Sequence, residues 1–171
     1  MQTLKQPEIA VPDGCEHVDP FAGFKAPRSF ISRNADDDRL SIRYFRRTSD
    51  GTMRAFAWFG PGAEGAPGRI HGGSVSAILD EALGASVWTV GIPVVTVRLI
   101  VKYRKPLKVG TLCEIETDIV KKSGKRVRVV GALKEKDNGI IAHAEAVYYR
   151  LPDADIPAEA VRIMRERRGE A

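Results

Sequence analysis

Gly68-Arg69-Ile70-His71-Gly72-Gly73-Ser74-Val75-Ser76-Ala77-Ile78-Leu79-Asp80-Glu81-Ala82-Leu83-Gly84 reads as a glycine-hinged entry into a helix. Val75, Ile78, Leu79 and Ala82 recur at i, i+3, i+4 and i+7, so the spacing predicts a helix from about Gly73 to Val87 with one buried face. Gly72 and Gly73 let another molecule come close to backbone N–H groups that no helical carbonyl claims. Those amides sit at the positive end of the helix dipole, where an oxyanion or phosphate is stabilised. Asp80 then stands among small and apolar residues, an odd place for a carboxylate without a task.

Outward from this helix the signals are β. Upstream, Leu40, Ile42 and Tyr44 alternate with Ser41 and Arg43. Asp50-Gly51 then supplies a tight turn before Met53 to Phe59, and a glycine-rich loop (60–68) follows. Downstream of Gly91-Ile92-Pro93, Val95, Val97, Leu99, Val101 and Tyr103 form one face of a long strand, with Thr96, Arg98 and Lys102 on the other. The next strand carries Glu114, Glu116 and Asp118 on one face. Across Ser123-Gly124 come Lys125, Arg126 and Arg128, so opposite charges are expected to face each other over that hairpin. Asn138-Gly139 marks a second hairpin, leading to Ile140–Arg150. Two strands, one long buried helix and four strands joined mainly by hairpins make an α+β arrangement, an antiparallel sheet curled around a central helix. Residues 1–38, with Pro7, Pro12, Pro20 and Pro27, read as an N-terminal extension to a domain at 39–152. A basic helix from Ala158 to Arg168 lies in a C-terminal tail, 153–171.

At 171 residues the chain fits one domain with a proper core. Its net charge of +5 favours anionic partners without choosing among nucleic acid, phospholipid and a polyphosphorylated cofactor. No run approaches the ~18 apolar residues of a membrane span, so no membrane partner is expected. Cys15 and Cys113 lie far apart with no CxxC spacing, which fits free thiols in a reducing cytoplasm. His17, His71 and His143 are the only histidines, none at metal-ligand spacing from a second ligand, so no metal is expected. The absence of a G-x-S-x-G motif disfavours an α/β-hydrolase. The basic turn from Lys121 to Arg126 has no interleaved aromatics, which disfavours nucleic acid. That turn is either simply solvated or a landing place for phosphates, shared with Arg104, Lys105 and Lys108.

On a helical wheel Asp80 shares its face with Gly73, Ser76, Ala77 and Gly84, all small, while Glu81 falls nearer Ser74, Ala77 and Ala85 and ranks second as the functional acid. The plain alternative for Asp80 is a solvated surface carboxylate or one that caps a neighbouring loop. Within one chain, the Gly72 amide and the Asp80 carboxylate cannot serve one reacting carbon, because eight helical residues span roughly 12 Å. Two antiparallel copies of the helix about a two-fold axis remove the difficulty, each amide facing the other copy's carboxylate. At least a homodimer is therefore expected, and a homotetramer is equally compatible.

His71-Gly72-Gly73 followed by Asp80, with Thr96-Val97-Arg98-Leu99-Ile100-Val101-Lys102-Tyr103-Arg104-Lys105-Pro106-Leu107 and then Gly110, resembles the hotdog-fold acyl-CoA thioesterases. The nearest type is the phenylacetic-acid-degradation group, related to 4-hydroxybenzoyl-CoA thioesterases, and the likeness covers roughly residues 40–150. The resemblance implies that Gly72 donates its N–H to the thioester carbonyl while His71 holds the loop and lines the pocket. It implies that Asp80 of the partner subunit is general base or nucleophile, and that Thr96 helps orient water. Gly73, Glu81, Arg104 and Lys105 would border the acyl-CoA substrate, and no cofactor is implied. Several relatives carry Asn or Gln just before His-Gly-Gly, where this chain has Glu64 and Gly65. The alternative function is a non-catalytic acyl-CoA-binding or regulatory hotdog module. A hotdog dehydratase ranks below both.

Overall fold

The computed structural model describes residues 6–24, 30–31 and 38–170. Strands β1 (Cys15–His17), β2 (Leu40–Arg47) and β3 (Met53–Phe59) precede helix α1 (Gly72–Thr89). Strands β4 (Val94–Tyr103), β5 (Thr111–Ser123), β6 (Arg126–Glu135) and β7 (Gly139–Arg150) follow it, and α2 (Ala158–Arg168) comes last. All seven strands form one antiparallel sheet in the order β1-β2-β3-β5-β6-β7-β4. The expected α+β architecture, a sheet wrapped on a central helix, is what the chain adopts.

The turn chemistry is as expected: Gly51 and Gly139 both take left-handed φ values in their hairpins. The β4–β5 connection is not a hairpin, because β4 pairs with β7 at the far edge of the sheet. A short strand also lies inside the segment read as an extension, where Cys15–His17 pairs with Phe45–Arg47. Within the segment read as an extension, residues 1–5, 25–29 and 32–37, Pro27 among them, lie outside the described residues.

The core forms where α1 presses on the inner face of the sheet. Every α1 residue from Ala82 to Thr89 is buried, as are Val75, Ile78 and Leu79. Opposite them the sheet offers small residues, Ala55, Ala57, Ala142, Ala144 and Ala146, all buried. Small side chains there let the helix axis approach closely, while Ile115, Val129 and Leu133 fill the remaining space. Gly131 is required for this fit: a Cβ there would meet Leu83 Cδ1 at 2.7 Å and the Glu116 carbonyl oxygen at 2.8 Å.

The far end of α1 is covered by both flanks. Phe21 and Phe24 stack edge-on against Trp88 at 5.7 and 4.9 Å between ring centroids. From α2, Arg167 donates to the carbonyls of Pro20 (2.9 Å), Asp19 (2.7 Å) and Trp88 (3.1 Å). Of these only Trp88 lies in the last turn of α1, and a guanidinium bonded there also complements the negative end of the helix dipole.

The outer face of the sheet holds the charges, though not in the expected pairs. Arg126 and Arg128 lie opposite Ser123 and Lys121 across the hairpin, after a register shift between Ile119 and Lys121. Arg128 instead bonds Glu145 on β7 at 2.8 Å, Glu114 pairs with Arg54, and Glu116 with Lys134. Asp118 lies opposite Val130 and Glu116 opposite Ala132, further from the turn than the basic end of β6, so each charge takes its partner from another strand or another register.

Candidate active site

The entry to α1 is built by a loop that folds back on His71. The His71 N–H reaches the Ala63 carbonyl at 2.9 Å, and the Glu64 carboxylate accepts the Gly68 N–H. Gly65 allows this closure, since a Cβ there would lie 2.9 Å from His71 Cα. Glu64, at the place where the resemblance has Asn or Gln, thus spends its side chain on its own loop.

His71 is the N-cap, in extended backbone at φ −63° and ψ 136°. Its Nδ1 accepts the Gly73 N–H at 2.9 Å, which leaves the proton of the neutral ring on Nε2. The His71 carbonyl accepts from Ser74 and Val75 at 3.0 and 3.4 Å. The Gly72 N–H has no partner among the described residues, so it is the free donor of the first turn. Glycine is needed at position 73, where a Cβ would stand 2.9 Å from the capping Nδ1. At Gly72 the nearest contact would be an ordinary 3.5 Å, to Tyr103, and φ is not positive. Nothing within the chain demands glycine there.

Two turns along, Asp80 is partly exposed and accepts at Oδ1 a hydrogen bond from Thr96 Oγ1 at 2.8 Å. Simple alternation would turn Thr96 away from Leu99 and Tyr103. In the structure Thr96 pairs with Tyr148 and Arg98 with Val147, leaving Val97 as an extra residue in the strand. This β-bulge reverses the phase, so Thr96 joins Leu99, Val101 and Tyr103 on the helix-facing side. The expectation that Thr96 lies with Arg98 and Lys102 is corrected by that one inserted residue.

Beneath Asp80 lies Tyr148, buried on the inner face of β7, whose hydroxyl donates to the Asp80 main-chain carbonyl at 3.0 Å. Burial chiefly, and the charges of Asp80 and Glu81 after it, push this phenol far above its ordinary pKa. It stays a proton donor. Its ring also covers Gly84, at 3.5 Å from where a Cβ would stand, so Gly84 is buried and does not belong to the open small face around Asp80. Gly73, Ser76 and Ala77 remain at least partly exposed there, and Glu81 is half-buried one position on.

The structure brings His71, Gly72 and Gly73 together at one end of α1 and Asp80 with Thr96 further along. Arg104 and Lys105 are exposed and stand apart from the Asp80–Thr96 pair. The Lys105 ammonium donates to Asn138, to its carbonyl and at 3.1 Å to its Oδ1. Among the described residues no three His, Cys, Asp or Glu side chains gather as a metal site. Sequence reasoning missed Tyr148. Its signal was a hydroxyl in the inward row of Ala142, Ala144 and Ala146, where a buried polar group must find a partner.

Residues 67–142 match the thioesterase superfamily model. Acyl-coenzyme A thioesterase THEM4 of Xenopus laevis is 28% identical over 121 residues, covering 70% of this chain and 54% of that protein. The chain thus spans about half of that relative's length. Among solved structures, the E. coli PaaI protein from the phenylacetic acid degradation operon is 12% identical, with TM-score 0.59, over 65% of this chain and 80% of that one. A Streptococcus pneumoniae hypothetical thioesterase, solved with coenzyme A, is 18% identical, with TM-score 0.58, over 66% and 86%. It was also solved with a threonine and, separately, an aspartate replaced by alanine. No described helix is long and apolar enough to cross a membrane. The central segment of the chain is thus similar to the thioesterase superfamily, and the sheet wrapped on α1 in which that segment lies has the hotdog fold.

Proposed function

We propose that this chain hydrolyses an acyl-CoA thioester to the free acid and CoA, working as at least a dimer. The observation that carries the reading is the pairing of a capped helix start whose Gly72 N–H is free with an Asp80 carboxylate ordered by Thr96 on the same helix. The thioester oxygen gains negative charge as its carbon is attacked, and a fixed N–H at a helix start stabilises that charge. Asp80 of the partner subunit takes a proton from the attacking water, or itself attacks as nucleophile to give a mixed anhydride that water then hydrolyses to the free acid. In both routes the carbon–sulfur bond breaks after the attack, and CoA leaves as a thiolate that gains a proton. His71 holds the amide in place as the cap. Thr96 restrains one carboxylate oxygen, leaving the other for chemistry. Gly73, Glu81, Arg104 and Lys105 border the substrate, the last two on the nucleotide side. The chemistry requires no metal or organic cofactor.

Support comes also from the Streptococcus pneumoniae protein, whose substituted aspartate and threonine stand 16 residues apart, the spacing of Asp80 and Thr96. The 39–152 unit carries the reaction in this reading. Two unpaired thiols, Cys15 and Cys113, fit action in the reducing cytoplasm. The test is free-thiol release from a panel of short, long and aromatic acyl-CoAs by the parent and by Asp80→Asn. Release by the parent that falls about 10²- to 10⁴-fold in the variant, the range of general-base catalysis, supports the assignment. Tight binding of acyl-CoA with no release from any substrate by the parent would make the chain a binding module.

A further inference from the structure

Tyr103 is the last residue of β4, and 52% of its surface is exposed. An exposed phenol ordinarily leaves its hydroxyl in water. Here the hydroxyl turns back onto the helix and donates to the Gly72 carbonyl at 2.9 Å. It also lies 2.5 Å from Ser76 Oγ. A phenol has one proton, which is committed to Gly72, so in that second bond Ser76 donates and Tyr103 accepts. The hydroxyl is thereby satisfied in both directions.

The Gly72 carbonyl and the Gly73 N–H belong to one peptide group. Tyr103 holds its oxygen end, and His71 Nδ1 holds its nitrogen end at 2.9 Å. A peptide between two glycines is the most easily rotated in a chain, since neither side offers a Cβ to resist the turn. It also lies in the first helical turn, where the backbone ladder is incomplete. The helix ladder holds this peptide only at its carbonyl, so two side chains, one from the loop before α1 and one from β4, hold both ends and fix its orientation. Next to it stands the free N–H of Gly72.

We propose that Tyr103, seconded by Ser76, is a positioning residue that fixes the first turn of α1 so that the Gly72 N–H points steadily at the thioester oxygen. This role rests on the thioesterase reading and acts through the backbone, with no contact between Tyr103 and the reacting atoms. It assigns a physical task to the tyrosine that ends the β4 motif.

The experiment compares the parent, Tyr103→Phe, Tyr103→Leu and Ser76→Ala as full-length chains, by steady-state thiol release and by amide hydrogen exchange at Gly73. Tyr103→Phe keeps the ring and so keeps whatever packing it provides. The expected result is a kcat lower by about 10- to 100-fold, the penalty of small misplacement, with KM within about twofold. Gly73 exchange should quicken by about tenfold or more, because a loosened peptide opens more often. Ser76→Ala should lose less, and combining it with Tyr103→Phe should add nothing further. A Tyr103→Phe enzyme with parental kcat overturns the proposal, as does unchanged Gly73 exchange. If only Tyr103→Leu is impaired, ring packing is the whole role and the proposal fails. Should the parent release no thiol from any acyl-CoA, the thioesterase reading falls, and Tyr103 with it as a catalytic aid. Gly73 exchange would then still show whether the clamp exists.

Discussion

Thr96 reaches Asp80, Oγ1 to Oδ1 at 2.8 Å, through the bulge at Val97, which turns this one hydroxyl from the outer face of β4 to the face that meets α1. A carboxylate on a half-open helix face samples several rotamers, and one short bond from a β-branched, stiff side chain removes most of them. Replacing Thr96 by Val keeps shape and branching but deletes the donor. A single hydrogen bond to a charged group is worth about 1.5–3 kcal/mol, so thiol release should fall about 10- to 100-fold. Thr96→Ser, which retains the hydroxyl, should stay within a few-fold of the parent. Steady-state kinetics on both variants checks the ordering.

Gly131→Ala should be strongly destabilising for its size. A Cβ at this position would sit 2.7 Å from Leu83 Cδ1 and 2.8 Å from a backbone oxygen of β5, and the backbone cannot yield as a flexible side chain would. Overpacking of this kind costs about 1–3 kcal/mol. Urea denaturation should show a lower midpoint with an unchanged slope. The companion change Leu83→Ala in the Gly131→Ala background should recover less than the full loss, because it exchanges overlap for a cavity.

Much of this architecture was legible in periodicity alone. The helix follows from Val75, Ile78, Leu79 and Ala82, and the hairpins from Asp50-Gly51 and Asn138-Gly139, because those signals are local. Asp80 and Gly72 stood out for the same reason, a carboxylate and a glycine where the local pattern gave neither a structural task. What could not be read is non-local. Pairing of β4 with β7 rather than β5 depends on how the whole sheet closes. The Val97 bulge depends on matching the inner face of β7 to the helix. Tyr148 braces Asp80 only because β7 and α1 meet there, across a separation of 68 residues in the sequence. Glu114, Glu116 and Asp118 do not meet Lys125, Arg126 and Arg128 as expected, because distance from the turn as well as face decides which residues oppose: Glu116 lies opposite Ala132.

Cys113 should set part of the alkaline limit of stability. Its thiol is buried in the core, and that burial, with the Glu135 charge as a smaller cause, pushes its pKa up to about 12. In the unfolded chain a thiol ionises near pH ~8.5. The folded pKa is the higher one, so its contribution is intact below pH ~8.5 and is lost as pH rises towards about 12. Between those limits, one proton difference removes up to about 1.4 kcal/mol per pH unit. Cys113→Ala should flatten the fall in unfolding free energy between pH ~9 and ~11. Native protein at pH ~8 should be alkylated at Cys15, which is partly exposed, and not at Cys113. Equal labelling of the two would contradict the burial argument.

The proposed division of one site between two subunits makes the sharpest demand. Gly72 is the first helical residue, the position where proline is best tolerated because its missing N–H has no helical partner. His71 already has the extended conformation, φ −63° and ψ 136°, that a following proline requires. Gly72→Pro therefore deletes the one free amide while sparing the helix. Loss of an oxyanion donor costs about 10²- to 10³-fold in kcat, so this variant should be nearly inactive, as should Asp80→Asn. In a hybrid dimer of the two variants, one site pairs the intact Gly72 of the first chain with the intact Asp80 of the second. The other site carries both defects. After co-unfolding and random reassembly of equal amounts, half the dimers are hybrids with one good site of two, giving about a quarter of parental activity. If both groups acted within one chain, every mixture would stay as inactive as its components.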